Sequence, residues 1–159
     1  MVARLLGRTR QVIVAAPSYL ARHGTPRHPD DLRQHLRLGW NYPRAIPHWP
    51  FTVNGQRAAV DIGQTIRVND GDTMRQLALH GAGLARLSLY HAWGDLAAGR
   101  LVCVLEAFNT NVLEPIHAVY LGRPDRLPPR TRAVLDFLAA QVDLRFAEGN
   151  APETVAASD

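Results

Sequence analysis

The chain contains no lysine. All 18 of its basic residues are arginine, spread along 159 residues with mild excesses at Arg4, Arg8 and Arg10 and at Arg123, Arg126, Arg130 and Arg132. A formal charge of +4 and a pI near 10.0 invite a nucleic-acid reading. The even spread opposes a contiguous phosphate-tracking stripe and favours solvated surface charge. Cysteine is almost absent too. Cys103 alone excludes an internal disulfide and fits a reducing compartment. Its place inside Leu-Val-Cys-Val-Leu marks a buried thiol rather than a nucleophile. No apolar run approaches the ~20 residues a membrane span requires. The opening stretch MVARLLGRTRQVIVAAP lacks the apolar centre and small-residue cleavage site of an export signal. These absences lead to the expectation of a cytoplasmic protein that does not engage a membrane.

Catalytic and metal-binding patterns are missing as well. His23, His28, His35, His48, His80, His91 and His117 are scattered, and no pair has HxxxH spacing beside an acid. There is no G-x-S-x-G elbow and no phosphate-cradling Walker loop. Gly81-Ala82-Gly83 follows a helix pattern, the wrong context for a dinucleotide. The expectation is no enzyme, no cofactor and no metal.

What is present reads as an ordinary globular chain, 47% hydrophobic and 20% charged, long enough for one domain or two small lobes. Residues 11–16 (QVIVAA) form a short buried strand. A proline-led helix follows over 17–23 and ends at Gly24. A second proline-led helical turn lies within 25–35, with Asp30 and Asp31 near its positive end. Residues 36–40 read as a strand. The runs 49–53 and 56–62 flank Asn54-Gly55, the strongest short-range hairpin signal, since both residues accept positive φ. Residues 65–69 suit a strand. Residues 70–80 suit a helix whose buried stripe is Met74, Leu77, Ala78 and Gly81, with Asn69, Asp70 or Asp72 as its cap. Strands then fall at 84–87, 101–105 and 116–121, with a helix at 89–98 stopped by Gly99. The longest helix runs from Pro128 to about Phe146, its stripe formed by Val134, Leu135, Leu138 and Val142. The polar end, 148–159, reads as a disordered tail. Alternating strands and helices give an α/β class.

The order of these segments resembles the effector domain of the LysR-type transcription regulators. The resemblance rests on VIVAAPSYLARHGTPRHPDDLRQH, WPFTVNGQRAAVDI, IRVNDGDTMRQLALHGAGLARLSLY, DLAAGRLVCVLE and IHAVYLGRPDRLPPRTRAVLDFLAAQV, taken in that order. It covers residue 4 to about residue 142. It departs from the family at Ser88, where proline is frequent. The resemblance implies an α/β, periplasmic-binding-protein-like domain with the second lobe complete and the first lobe only partial. Residues 1–16 would be a first-lobe remnant and crossover strand, 17–117 the second lobe, 118–146 the return crossover and first-lobe helix, and 147–159 the tail. The family's winged helix-turn-helix, linker helix and early effector half have no counterpart ahead of residues 2–8. The chain is therefore expected to be a truncated form that makes no DNA contact itself.

Ligand in this fold sits between lobes, beside the crossovers, which the resemblance places at 11–16 and 118–121. Four patches then become candidate effector contacts. Ala16, Pro17 and Ser18 begin a helix whose free N–H groups can seat a carboxylate; Ser18 otherwise caps or faces water. Asn69, Asp70 and Gly71, with Asp72, begin another; its acids favour a hydroxyl or amine, or merely cap. Trp40, Asn41 and Tyr42 set two aromatics around an amide and can cover a ring or alkyl chain, or be core. Leu87 and Ser88 complete the set. The expected partners are a small-molecule effector, a carboxylate or an aromatic, and a second copy of the chain. An interaction-only fragment that dimerises near helix 70–80 is the competing expectation; a transport solute-binding protein is disfavoured by the missing export signal. Two structural expectations follow. The last helix has a stripe made for a first-lobe sheet, so it folds back, pairs with another copy or is mobile. The strand at 11–16 keeps an open edge.

Overall fold

One long strand organises the molecule. The computed structural model describes residues 2–42, 48–61, 63, 66–122, 127–142 and 144. Strand β1 spans Val2–Ala15, well beyond the apolar run 11–16, because its first half is an alternating ribbon with one exposed side. That half pairs antiparallel with the last strand, β8 (Leu113–Tyr120), Val2 facing Tyr120 and Arg10 facing Leu113. The pairing thus joins residues 2–10 to 113–120, and the run 11–16 lies beyond it in the same strand. The second half of β1 lies between β6 (Ala85–Ser88) and β7 (Val102–Val104), both antiparallel to it. Ile13 faces Arg86 on one side and Val104 on the other, so the open edge expected at 11–16 does not exist.

Two further strands extend the sheet. β2 (Gly39–Trp40) runs parallel to β5 (Arg67–Val68). A parallel bridge between Arg37 and Leu84 ties this pair to β6, with Leu38 N–H donating to Leu84 O at 2.8 Å and Leu84 N–H to Leu36 O at 2.8 Å. Only two residues of the expected strand 36–40 are regular. The Arg37 guanidinium turns back to donate to Leu32 O, which pins the preceding turn. That turn, Pro29–Gln34, is a 3-10 helix capped by His28. β3 (His48–Val53) and β4 (Gln56–Asp61) form the hairpin, and Asn54 (φ 51°) and Gly55 (φ 75°) both sit in the left-handed region that its two-residue turn demands.

Because side chains alternate along β1, it serves two cores. Val12 and Val14 pack with Leu87, with Met74 and Ala78 of α2 (Gly71–Leu79), and with Leu89, Ala92 and Leu96 of α3 (Leu89–Ala97). Ile13 and Ala15 pack on the other face with Tyr19 of α1 (Pro17–His23), with Trp49 and Phe51 of the hairpin, and with Val104. Burying each such large side chain is worth roughly 1.5–3 kcal/mol, so this layering holds the strand ends in place. The last helix, α4 (Pro129–Gln141), folds back on the first half of β1, and Arg4 donates to Asp136 at 2.6 Å. Its buried side is centred on Leu135, with Leu138 and Val142 partly buried beside it; of the expected stripe only Val134 faces outward, as does Phe137. No helix among the described residues is long and apolar enough to cross a membrane. The expected strand limits at Ile62 and Thr65, the helix end at Phe146 and the tail 147–159 lie outside the described residues.

Candidate functional site

Strands β2, β5 and β6 are parallel and finish at one edge of the sheet. Ligands of open α/β sheets gather outside such carboxyl ends, where backbone and helix starts face solvent together. β2 delivers Trp40, Asn41 and Tyr42; β5 delivers Asn69, Asp70 and Gly71; β6 delivers Ser88. Asn41 N–H donates to Val68 O at 2.8 Å, and the Asn41 side chain donates to Asn69 Oδ1 at 3.2 Å, so two of the predicted patches are one. The Trp40 and Tyr42 rings meet at 5.6 Å and 43°. Trp40 is half-buried and leans on the core, while Tyr42 is exposed. Trp40 thus packs on the core while part of its surface stays open at this edge.

Gly71 completes the surface by lacking a side chain. A Cβ there would lie 2.7 Å from His91 Cε1 and 3.7 Å from Trp40 Cη2, so the His91 ring and the indole close over the helix start. Asp70 caps that helix. Thr73 N–H donates to Asp70 Oδ1 at 2.8 Å and Thr73 Oγ1–H to Oδ2 at 2.7 Å. These two bonds hold its carboxyl below the usual range, with His91 adding a small attraction. Asp70 therefore presents a fixed negative charge to anything beside it.

The other predicted residues divide. Ser88 precedes α3 without capping it, and its hydroxyl accepts from Gln11 Nε2 at 3.0 Å. The same nitrogen donates to Glu114 Oε2 at 2.8 Å, which links this edge to the paired crossovers. Leu87 is buried in the core and contributes no surface. Ala16, Pro17 and Ser18 are not brought to this edge. β1 is antiparallel to β6, so its end lies at the opposite side of the sheet, where Ser18 and Arg22 crowd Gly81. Ala16 is buried, and no side chain caps α1. Strand direction decides this, and direction is invisible in the short apolar run from which the patch was read.

Sequence reasoning missed His91, Gln11 and Glu114. Gln11 carried a signal, being the polar head of an otherwise apolar strand. His91 stands three residues after Ser88, one turn into α3, a spacing that faces the strand end once the helix start is known.

Comparison with known proteins agrees with this architecture. A family model described as the LysR substrate binding domain matches residues 1–143. The HTH-type transcriptional regulator CrgA of Neisseria meningitidis serogroup C (strain 8013) is 32% identical over 140 residues, covering 88% of this chain and 46% of that protein. The uncharacterized HTH-type transcriptional regulator YcaN of Escherichia coli (strain K12) is 33% identical over 140 residues, covering 87% and 45%. The chain thus spans a little under half the length of these curated relatives. The solved structure of the CrgA regulatory domain from Neisseria meningitidis matches with a TM-score of 0.81 at 31% identity, covering 89% of this chain and 69% of that one. The full-length Vibrio cholerae virulence activator AphB matches with a TM-score of 0.72 at 26% identity, covering 88% and 47%. The α/β fold is that of the periplasmic-binding-protein-like regulatory domains. The chain belongs to the LysR-type transcription regulators, whose substrate-binding domain it carries.

Proposed function

We propose that this chain is the small-molecule-sensing part of a transcription regulator, working in the cytoplasm, with its effector seated at the shared end of β2, β5 and β6. The observation that carries the reading is the junction of Asn41 with Asn69 beside Gly71, Trp40 and His91. Three strand ends there supply aromatic surface, amide groups and one fixed carboxylate within a single open patch. In this reading residues 17–117 are one lobe, and residues 1–16 and 118–146 contribute to the other. No bond is made or broken; binding energy biases the arrangement of the lobes, and DNA is contacted by another part of the full regulator.

The chemistry of the patch narrows the effector. Trp40 and Tyr42 suit a ring or alkyl body, which gains from aromatic contact as well as burial. Asp70 repels an anionic group placed directly against it and suits a hydroxyl or an amine. Thermal-shift screening of aromatic and carboxylate compounds tests this. A true effector raises the unfolding temperature in a ligand-dependent way, equivalent to about 2.7 kcal/mol at a hundredfold excess over Kd. Tyr42→Ala should weaken it about tenfold, and Gly71→Ala should abolish it by displacing His91, with little change in the ligand-free melting temperature. No compound-dependent rise across the panel, or one untouched by both variants, would overturn the proposal.

One observation favours a second reading, assembly without sensing. Val119 (59% exposed), Leu121 (86%) and Phe137 (64%) stand outward on the β1–β8 ribbon and α4. A melting temperature that rises with protein concentration and ignores every ligand is the signature of that alternative.

A further inference from the structure

Strand β1 changes neighbours at one residue. Its pairing with β8 ends at Arg10 and Leu113, and its pairing with β6 begins at Gln11 and Ser88. Gln11 therefore lies where the ribbon meets the main sheet. Its backbone carbonyl accepts from Asn109 Nδ2 at 2.9 Å, which fixes the strand at this point. Its side chain shares a face of β1 with Ile13. Ser88 takes the matching face of β6, because Leu87 before it points into the helical core. The two side chains thus meet across the ladder.

Chemistry fixes the direction of their hydrogen bonds. A carboxylate only accepts, so the 2.8 Å bond to Glu114 Oε2 must come from the amide nitrogen of Gln11 and not from its oxygen. The same nitrogen lies 3.0 Å from Ser88 Oγ, so its second proton goes there. Ser88 Oγ is then an acceptor toward Gln11, and its own proton is left over. Ser88 does not cap α3, and its hydroxyl has no other hydrogen bond with a described residue. A half-buried O–H without an acceptor is costly. Water or a ligand at the end of β6 must supply that acceptor.

We propose that Gln11 is a positioning residue of the effector site: held by Glu114, it sets Ser88 as a hydrogen-bond donor, so the effector presents a carbonyl-type oxygen at the end of β6. The inference rests on the strand-end reading and adds the polarity of one contact to it. Two measurements on the whole chain separate the relay from the site. Without ligand, NMR follows hydrogen exchange of the Gln11 side-chain amide protons. Glu114→Ala should speed it about tenfold, the effect of losing one charge-assisted bond, and unchanged exchange overturns the relay. With ligand, acetophenone, which only accepts, is titrated against 1-phenylethanol, which accepts and donates. In the exchanged pair, Gln11→Glu with Glu114→Gln, the carboxylate at position 11 accepts from both neighbours, and Ser88 turns into an acceptor. The ratio of the acetophenone Kd to the 1-phenylethanol Kd should then rise about tenfold over wild type, a change that a merely structural role would not produce. If the double variant does not fold, Glu114→Ala decides: freeing the amide should raise that ratio severalfold. A wild type that takes the alcohol and refuses the ketone, or a ratio that does not move, overturns the donor assignment and leaves the strand-end site standing. If neither compound shifts the resonances of residues 39–42 or 88–92 while the ligand-free result is as expected, the site reading is overturned, and the acceptor rule falls with it.

Discussion

Asp95 is 2% exposed, and two guanidiniums hold it: Arg75 from α2 at 2.7 Å and Arg100 from beyond α3 at 2.7 Å. Burial pushes its carboxyl pKa up, but the hydrogen bonds from both arginines outweigh burial and leave it below the usual value. Asp95→Ala leaves Arg75 with Asp72 alone and unties α2 from α3. The expected loss is about 2–3 kcal/mol in urea unfolding, toward the lower end of buried-pair values because Arg100 is largely exposed. His35 gives a pH prediction. Its Nδ1 shares a hydrogen bond with the Tyr19 hydroxyl at 3.2 Å, and that hydroxyl also accepts from Leu36 N–H at 2.9 Å. Burial, then the nearby His23, lowers the His35 pKa. The unfolded chain therefore binds a proton near pH 6.5 that the folded chain refuses, and stability falls as pH drops below about 6.5 until the folded pKa is passed. A melting-temperature scan from pH 7.5 to 5 should show this fall, with a shallower slope in His35→Leu. Cys103 is simpler. Burial, helped by Glu106, pushes its thiol up to about 12, so a thiol-specific reagent should react only with the unfolded chain.

At the level of elements, the most readable signals were chemical ones with a single geometric solution. Asn54-Gly55 gave its hairpin because it is one of the few residue pairs that readily take two successive positive φ angles. Gly55 has no neighbour within 4 Å of an added Cβ, so Gly55→Ala tests the backbone alone and should cost about 1 kcal/mol in urea unfolding. The caps and stops of α1, α2 and α3 were legible for similar reasons: Gly24 and Gly99 have positive φ, and Asp70 binds Thr73. Strands with polar alternation were not. The first half of β1 carries Arg4, Gly7 and Arg8, so it showed no apolar run, and its pairing with β8 is a long-range fact. Of the expected α4 stripe, Leu135 is buried, Leu138 and Val142 are partly buried, and Val134 alone faces outward, because the helix rests on the narrow ribbon along one line of side chains.

Across the whole molecule, the fold class and the order of elements were readable because they are sums of many local signals. The site was only half readable. Asn41 and Asn69 are 28 residues apart, and nothing local says that β2 and β5 are neighbours and parallel. Nor does anything local say that Ala16, Pro17 and Ser18 follow a strand running the other way, at the opposite side of the sheet. The exposed ribbon face carries a prediction at this scale. Leu5, Val119 and Leu121 lie on it and are 46%, 59% and 86% exposed, more apolar surface than an isolated two-stranded ribbon comfortably holds in water. Light scattering should show concentration-dependent association that Val119→Asp reduces. The central claim, that one sheet edge holds the effector, is tested most directly by hydrogen–deuterium exchange with and without the best compound from the screen. Protection is predicted in residues 39–42, 67–73 and 88–92. Protection centred instead on residues 16–22 and 81, at the opposite edge, would contradict it.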